Sequence, residues 1–411
     1  MADKKSNGAI NTLKSVAKGN TMVFVLVGVM LLFEVLIRIG DHGSLFAPAN
    51  ITNIIRQNAY VAILATGMLC CILTGGNIDL SVGSVVALVG ALAGVFIVNW
   101  GWPIWLGILA CLLIGTMIGA FHGLFIADIH IPPFITTLAG MLLWRGVATI
   151  VLDGKPIAPF PQKYLNLFES FLPKGSDGES EMEFLGEIVD KPTFMITIII
   201  TLLCVLAYIA LEVFSRRNKI KKNYSVSSKG SFIAKLTVLS LVILIIGQFL
   251  ARDRGLPVVM ILLAVIIAVY GYFTQNTVPG RYLYAIGGNE KAARLSGVNT
   301  NNVMFFAYTN MGFISAVAAL VTVARLNSAQ PTAGQNYEMD AIASCFIGGA
   351  SAYGGTGTVT GAVIGAVFMG VLNNGMSILG IDMNWQRAVK GLVLLAAVIF
   401  DVVSKKKKST K

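Results

Sequence analysis

Residue types suited to meeting a solute stand in the middle of apolar sequence at Thr74-Gly75-Gly76-Asn77-Ile78-Asp79-Leu80-Ser81-Val82-Gly83-Ser84. The flanking stretches, 61–73 and 85–98, are almost wholly apolar. A second interruption, Gly348-Gly349-Ala350-Ser351-Ala352-Tyr353-Gly354-Gly355-Thr356-Gly357, also separates two apolar runs. Broken hydrophobic segments in corresponding places of two halves point to a translocation site. Non-helical backbone at membrane depth survives only where protein or a water-filled cavity surrounds it. Tight turns at the membrane surface would use the same residues. Span parity puts 75–79 near the cytoplasmic face. There Gly75, Gly76 and Gly83 let the backbone turn, while Asp79 and Ser81 satisfy freed N–H groups and Asp79 caps the next helix. Lining a path with Asn77, Asp79 and Ser81 is the second expectation.

Arg145, Arg387 and Lys390 lie inside apolar runs, and the acids there are few: Glu34, Glu212 near an end and Asp79 near a face. Such groups are costly in lipid and face a partner or cavity unless they snorkel to the surface. Other chemistry is missing. No G-x-x-x-x-G-K-[ST] occurs, so ATP is not bound here by a P-loop. Gly355, Gly357 and Gly361 do not fit a dinucleotide fingerprint. Cys70, Cys71, Cys111, Cys204 and Cys345 all lie in apolar runs and read as small hydrophobes. His42, His122 and His130 are scattered, and no paired catalytic residues stand at depth, so the chain is not expected to be an enzyme.

The elements that must position these residues are hydrophobic helices. The chain of 411 residues is 55% hydrophobic and 12% charged, with mean hydropathy +0.76. Soluble domains carry about 25% charged residues. Apolar runs fall at 22–39, 52–74, 80–99, 104–127, 133–152, 193–214, 236–251, 257–273, 303–326, 341–353, 359–380 and 386–403, many of the ~20 residues that a bilayer demands. The expectation is an all-α polytopic membrane protein of about twelve transmembrane helices. The runs at 341–353 and 359–380 could be two short helices or one broken pair. The first run has no cleavage site and reads as an uncleaved helix.

Orientation follows from Lys and Arg, which stay on the cytoplasmic side. Four Lys lie in 1–20, seven basic residues and no acid in 215–235, three basic residues in 274–302, and five Lys in 404–411. Twelve spans put all four segments inside, with both termini cytoplasmic. The loop 153–192, with eight acids against four Lys, falls outside. The net charge of +11 is therefore topological, and nucleic acid is not an expected partner. A single transmembrane domain is expected over 21–403.

Glycines four apart at Gly115, Gly119, Gly123 and at Gly357, Gly361, Gly365 give smooth faces for close helix packing. In the inside loop 280–297, Asn289 can cap a short helix starting at Glu290, and Gly297 is placed to end it. Such an element is either a docking device or a plain solvated helix.

Six blocks in order, GNIDLSVGS (76–84), IPPFITTLAGMLLWRG (131–146), GRYLYAIGGNEKAARLSGV (280–298), ARLNSAQPTAGQNYEMDAIAS (324–344), the 348–365 glycines and VLNNGMSILG (371–380), resemble the permease subunits of bacterial ABC importers for monosaccharides of the ribose, galactose and xylose class. The resemblance covers residues 20–403 apart from an interruption. It implies a homodimeric permease in the bacterial cytoplasmic membrane, working by alternating access. Partner ATPase subunits would hold ATP and magnesium, with no cofactor on this chain, and an extracytoplasmic sugar-binding protein would deliver substrate. The family's coupling helix maps onto Gly288–Gly297, setting Glu290, Ala292, Ala293 and Gly297 against the ATPase groove. Asn373, Asn374, Trp385 and Gln386 would suit a sugar's hydroxyls and apolar faces. Family members usually have about ten spans, with one between the outer loop and the coupling loop. Three apolar runs in 193–273 depart from that and resemble the multiple-monosaccharide and xylose-type layout. Branched-chain amino acid permeases share the superfamily, and an ion-coupled carrier of twelve helices is the alternative from another class.

Overall fold

The computed structural model describes residues 21–173, 181–184, 187–224, 226 and 228–409. Expectations resting on 1–20 and most of the 404–411 tail's side chains lie outside the described residues. Eleven of the twelve apolar runs are helical over most of their length, and the run 341–353 is helical only as far as Ile347. In chain order the helices are α1 (Thr21–Ile39), α2 (Pro48–Gln57), α3 (Ala59–Leu73), α4 (Val82–Ala93) continued by a π-helical turn Gly94–Asn99, α5 (Ile104–Ala127), α6 (Pro133–Val151), α7 (Gln162–Phe168), α8 (Lys191–Lys221), α9 (Lys229–Arg252), α10 (Val258–Asn276), α11 (Val278–Leu295), α12 (Thr300–Leu326), α13 (Tyr337–Ile347), α14 (Val359–Ile378) and α15 (Met383–Ser409).

Among the described residues, nine helices or helical runs are long and apolar enough to cross a membrane, or ten if α2 and α3 make one span. The count falls short of twelve for physical reasons. Helix α13 has 11 residues, about 16 Å at 1.5 Å each, roughly half of a bilayer core. Helix α15 carries Arg387, Lys390 and Asp401, which dilute its hydropathy. The result remains an all-α polytopic membrane protein.

The chain forms two compact units. The larger comprises residues 1–43, 57–168 and 261–411. Its centre is α3, buried at nearly every position, as a helix apolar on all sides must be. Helix α12 runs beside α3, α4 and α5. Gly115, Gly119 and Gly123 turn toward α12; a Cβ on Gly119 would stand 2.4 Å from the carbonyl oxygen of Tyr308. The small-residue faces thus act as packing seams. Gly361 and Gly365 similarly take the backbone of Gly348 and Ser344, while Gly357 lies just before α14.

The smaller unit spans residues 44–56 and 169–260. The segment between α7 and α8 is more structured than a bare loop. Strand β1 (Phe171–Leu172) pairs with β4 (Leu256–Pro257), and β2 (Glu181–Phe184) with β3 (Glu187–Asp190), both antiparallel. Asp190 caps α8, accepting from the Thr193 N–H at 3.1 Å. Helices α8 and α9 form a hairpin whose contact is tight enough that a Cβ on Gly247 would meet Thr201 at 2.3 Å. Arg56 ion-pairs with Glu169 and lies 5.0 Å from the Phe171 ring centre.

Candidate functional site

The first interruption is a non-helical passage from Thr74 to Ser81 between α3 and α4. Asp79 Oδ1 accepts from the Ser81 N–H at 2.8 Å and from the Ser81 hydroxyl at 2.6 Å. The Ser81 Oγ lies 3.4 Å from His122 Nδ1 on α5, and the Trp144 indole of α6 donates to His122 Nε2 at 2.9 Å. Asp79, Ser81 and His122 are buried. The aspartate thus holds the turn that leads into α4, rather than an N–H inside the helix, and the chain of contacts ties that turn to two spans. Asn77 donates to the Thr74 carbonyl at 3.2 Å. In this conformation all three polar side chains are engaged within the protein.

The second interruption, 348–358, returns to the first. The Gly355 N–H donates to the Leu73 carbonyl at 3.0 Å. A Cβ on Gly76 would stand 1.9 Å from the Ala352 oxygen. Helix α11 joins them, for a Cβ on Gly287 would stand 1.9 Å from the Leu73 oxygen and 2.2 Å from the Gly355 nitrogen. The Tyr284 hydroxyl donates to the Gly357 carbonyl at 3.0 Å. Three segments distant in sequence therefore meet backbone to backbone, with no side chain between them.

Beyond this junction α11 breaks at Asn289, whose φ of −163° and ψ of 105° are extended. Its side chain accepts from the Ala292 N–H at 3.0 Å, capping the turn Glu290–Leu295. Gly297 closes that turn with φ +87°. Gly288, Asn289, Glu290 and Ala292 are exposed. Ala293 is not. It packs with Ile286 and Val298, seating the turn instead of facing outward. Leu295, which the sequence reading passed over, is 90% exposed on the same turn.

A third polar cluster surrounds Asp340. Lys390 Nζ of α15 stands 2.9 Å from Asp340 Oδ1, and the Tyr60 hydroxyl of α3 donates to Oδ2 at 2.7 Å. Asn373 of α14 donates to Asn58 Oδ1 at 3.3 Å and lies 3.5 Å from Asp340 Oδ2. The Tyr60 and Tyr337 rings stack with centres 3.6 Å apart. Asn374 is buried. Gln386 donates to the Ile381 carbonyl at 2.8 Å, and Trp385 is exposed. Of the four path candidates in this part of the chain, the structure brings Asn373 into a polar cluster and leaves Trp385 outside it. Arg145 donates to the Pro331 and Ala333 carbonyls, holding the non-helical approach to α13. Lys390 and Arg145 thus have partners in protein; Arg387 is exposed. Among the described residues no group of His, Cys, Asp and Glu could hold a metal ion.

The discontinuous helices α3–α4 and α13–α14, meeting at their breaks, are the construction expected where a membrane path opens. The family described as the branched-chain amino acid transport system permease component matches residues 50–172 and 186–398. The chain belongs to this family. It is 34% identical over 395 residues to a xylose transport system permease protein of Haemophilus influenzae, covering 96% of this chain and 99% of that one. It is 33% identical over 402 residues to the xylose transport system permease protein of Escherichia coli K12, covering 98% and 96%. A ribose import permease protein of Haemophilus influenzae is 36% identical over 356 residues, 87% of this chain and 86% of the other. No solved structure matches the chain. As a permease component of this family, the chain is a multi-pass membrane protein of transport, and its polar clusters are read accordingly.

Proposed function

We propose that the chain is the permease subunit of an ATP-driven importer for monosaccharides in the bacterial cytoplasmic membrane. It forms the membrane path by alternating access and performs no covalent chemistry. The observation that carries this is the glycine junction. An exposed, capped turn, Glu290–Leu295, is rooted at Gly287, where the breaks after α3 and α13 touch. A cytoplasmic partner gripping that turn moves both discontinuous helices at once. The partner is an ATPase subunit carrying ATP and magnesium, with Gly288, Asn289, Glu290, Ala292, Gly297 and Leu295 on the contact face. Two permease copies and an extracytoplasmic sugar-binding protein complete the assembly. The sugar class rests on the near full-length likeness to xylose and ribose permeases, against the amino acid wording of the family.

Reconstitution tests this reading. The purified chain alone should not accumulate sugar in liposomes, whereas adding the cognate ATPase and binding protein should give ATP-dependent uptake. Uptake of leucine instead of pentose would replace the substrate class. Uptake driven by an ion gradient without ATP would sink the importer reading. An ion-coupled carrier needs an intramembrane carboxylate, and Asp340 is one, but Lys390 already neutralises it.

A further inference from the structure

The α8–α9 hairpin has a feature that transport does not use. Helix α8 has 31 residues, about 46 Å at 1.5 Å per residue, against a hydrocarbon core of about 30 Å. A helix starting at the outer surface therefore carries its last turns beyond the core into the headgroup layer. Those turns hold Arg216, Arg217, Lys219 and Lys221, Lys222 follows as the C-cap, and α9 returns with Lys229 and Lys235. No acid lies between 215 and 235. The hairpin fold gathers these seven charges onto one end of two packed helices.

Topology requires only an excess of basic residues on this side; this surface is more specific. Arg216 is drawn over the Phe232 ring across the hairpin, 4.5 Å from its centre, and Lys235 pairs with Glu212 at 2.7 Å. Arg217, Lys219, Lys221, Lys222 and Lys229 are exposed. Beside them stand exposed Phe214, Ile220 and Tyr224. Cations interleaved with apolar and aromatic side chains fit a ligand with phosphate above and hydrocarbon below. We propose that the inner end of the α8–α9 hairpin binds the headgroups of anionic phospholipids. The proposal rests on the inside orientation of this loop and not on the transported solute. Binding fixes the depth and rotation of the hairpin in the bilayer, with strength that falls as salt rises.

The test is native mass spectrometry of the detergent-purified full chain titrated with phosphatidylglycerol or phosphatidylcholine. The wild type should retain phosphatidylglycerol in preference, and raising ionic strength should strip it. The variant Arg217→Gln/Lys219→Gln/Lys221→Gln/Lys222→Gln should retain at least several-fold less. The charge-preserving Arg217→Lys/Lys219→Arg/Lys221→Arg/Lys222→Arg should retain as much as wild type, as should a chain with Lys405–Lys408 changed to Gln. Equal retention of the two lipids, or retention indifferent to salt, overturns the proposal on wild type alone, whatever the variants' folding. Full retention by the neutralised variant overturns it as well.

Discussion

Removing one member of the Asp340–Lys390 pair should cost far more than removing both. The asymmetry can be worked from their surroundings. The Asp340 side chain is 1% exposed and that of Lys390 15%. In Lys390→Met, Asp340 keeps the Tyr60 hydroxyl at 2.7 Å but has no cation to balance it. Breaking a buried pair by deleting one partner costs about 3–5 kcal/mol, and Asp340 is short, so the upper part of that range is expected. In Asp340→Asn, the amide still accepts from Tyr60. Lys390 sits seven residues into α15, about 10 Å along the helix, and its long stem can carry the ammonium toward the surface. That variant should lose less, about 1–3 kcal/mol. The double variant Asp340→Asn/Lys390→Met contains no buried charge and should fall within about 1 kcal/mol of wild type, since replacing both members of such a pair is often neutral. The assay is thermal unfolding in detergent followed by fluorescence-detected size exclusion, with wild type and all three variants in parallel. A double variant at least as damaged as Lys390→Met would refute the reasoning, because its cost could not come from an uncompensated charge. Wild-type stability in Lys390→Met would refute it too.

Three further perturbations separate contact from conformation. Gly287→Ala would put a Cβ 1.9 Å from the Leu73 oxygen, whereas Gly288→Ala meets nothing within 4 Å; the first should lose correct assembly, by about 1–3 kcal/mol or more, and the second should express as wild type. Equal expression of the two would show that the junction is loose. Asn289→Ala removes the cap on Ala292, worth about 1 kcal/mol, and should weaken co-purification with the ATPase, while Asn289→Asp should retain it. Asp79→Asn keeps an oxygen that can accept from Ser81, and Asp79→Ala does not, so Asn should be tolerated far better in expression and folding; the opposite order would move Asp79 from holding the turn to contacting solute.

Much of the fold was legible because composition alone sets it. A run of twenty apolar residues in this context has nowhere to go but a helix, and only the run 341–353 leaves helix part-way, after Ile347. The caps at Asn289 and Asp190 follow from local chemistry, a side-chain oxygen placed to accept from an N–H three residues on. Helix α13 was not readable in the same way. Its apolar run begins at Ala341, yet the helix begins at Tyr337, where Asn336 turns the chain with φ +64° and Glu338 and Asp340 favour the positive end of the helix. Asp340 stands one residue before the apolar run and so is not among the acids that the runs contain. Its partners Tyr60, Asn373 and Lys390 lie 280, 33 and 50 residues away, and no local pattern announces such separations. The resemblance set Ala293 against the ATPase groove together with its whole segment, but helical periodicity turns it toward Ile286 and Val298.

The glycine junction shows why the two interruptions had to be read together. Each alone is compatible with an ordinary surface turn. Backbone contact between Leu73, Gly355 and Gly287 leaves no flexible side chain to absorb a displacement, so a shift of the α11 root by even a fraction of an ångström must move the ends of α3 and of the α13–α14 break. Packed interfaces of this kind change by switching arrangement instead of deforming smoothly. In the proposed importer the exposed turn beyond Asn289 would be the lever arm, with Ala293 packed on Ile286 and Val298 as its seat. In that proposal, force applied at Glu290–Leu295 would reach both broken helices through backbone contacts. Asp79, bound to Ser81 and onward to His122 and Trp144, ties the far side of the first break to α5 and α6. The polar residues in that apolar stretch hold the turn between the two helices.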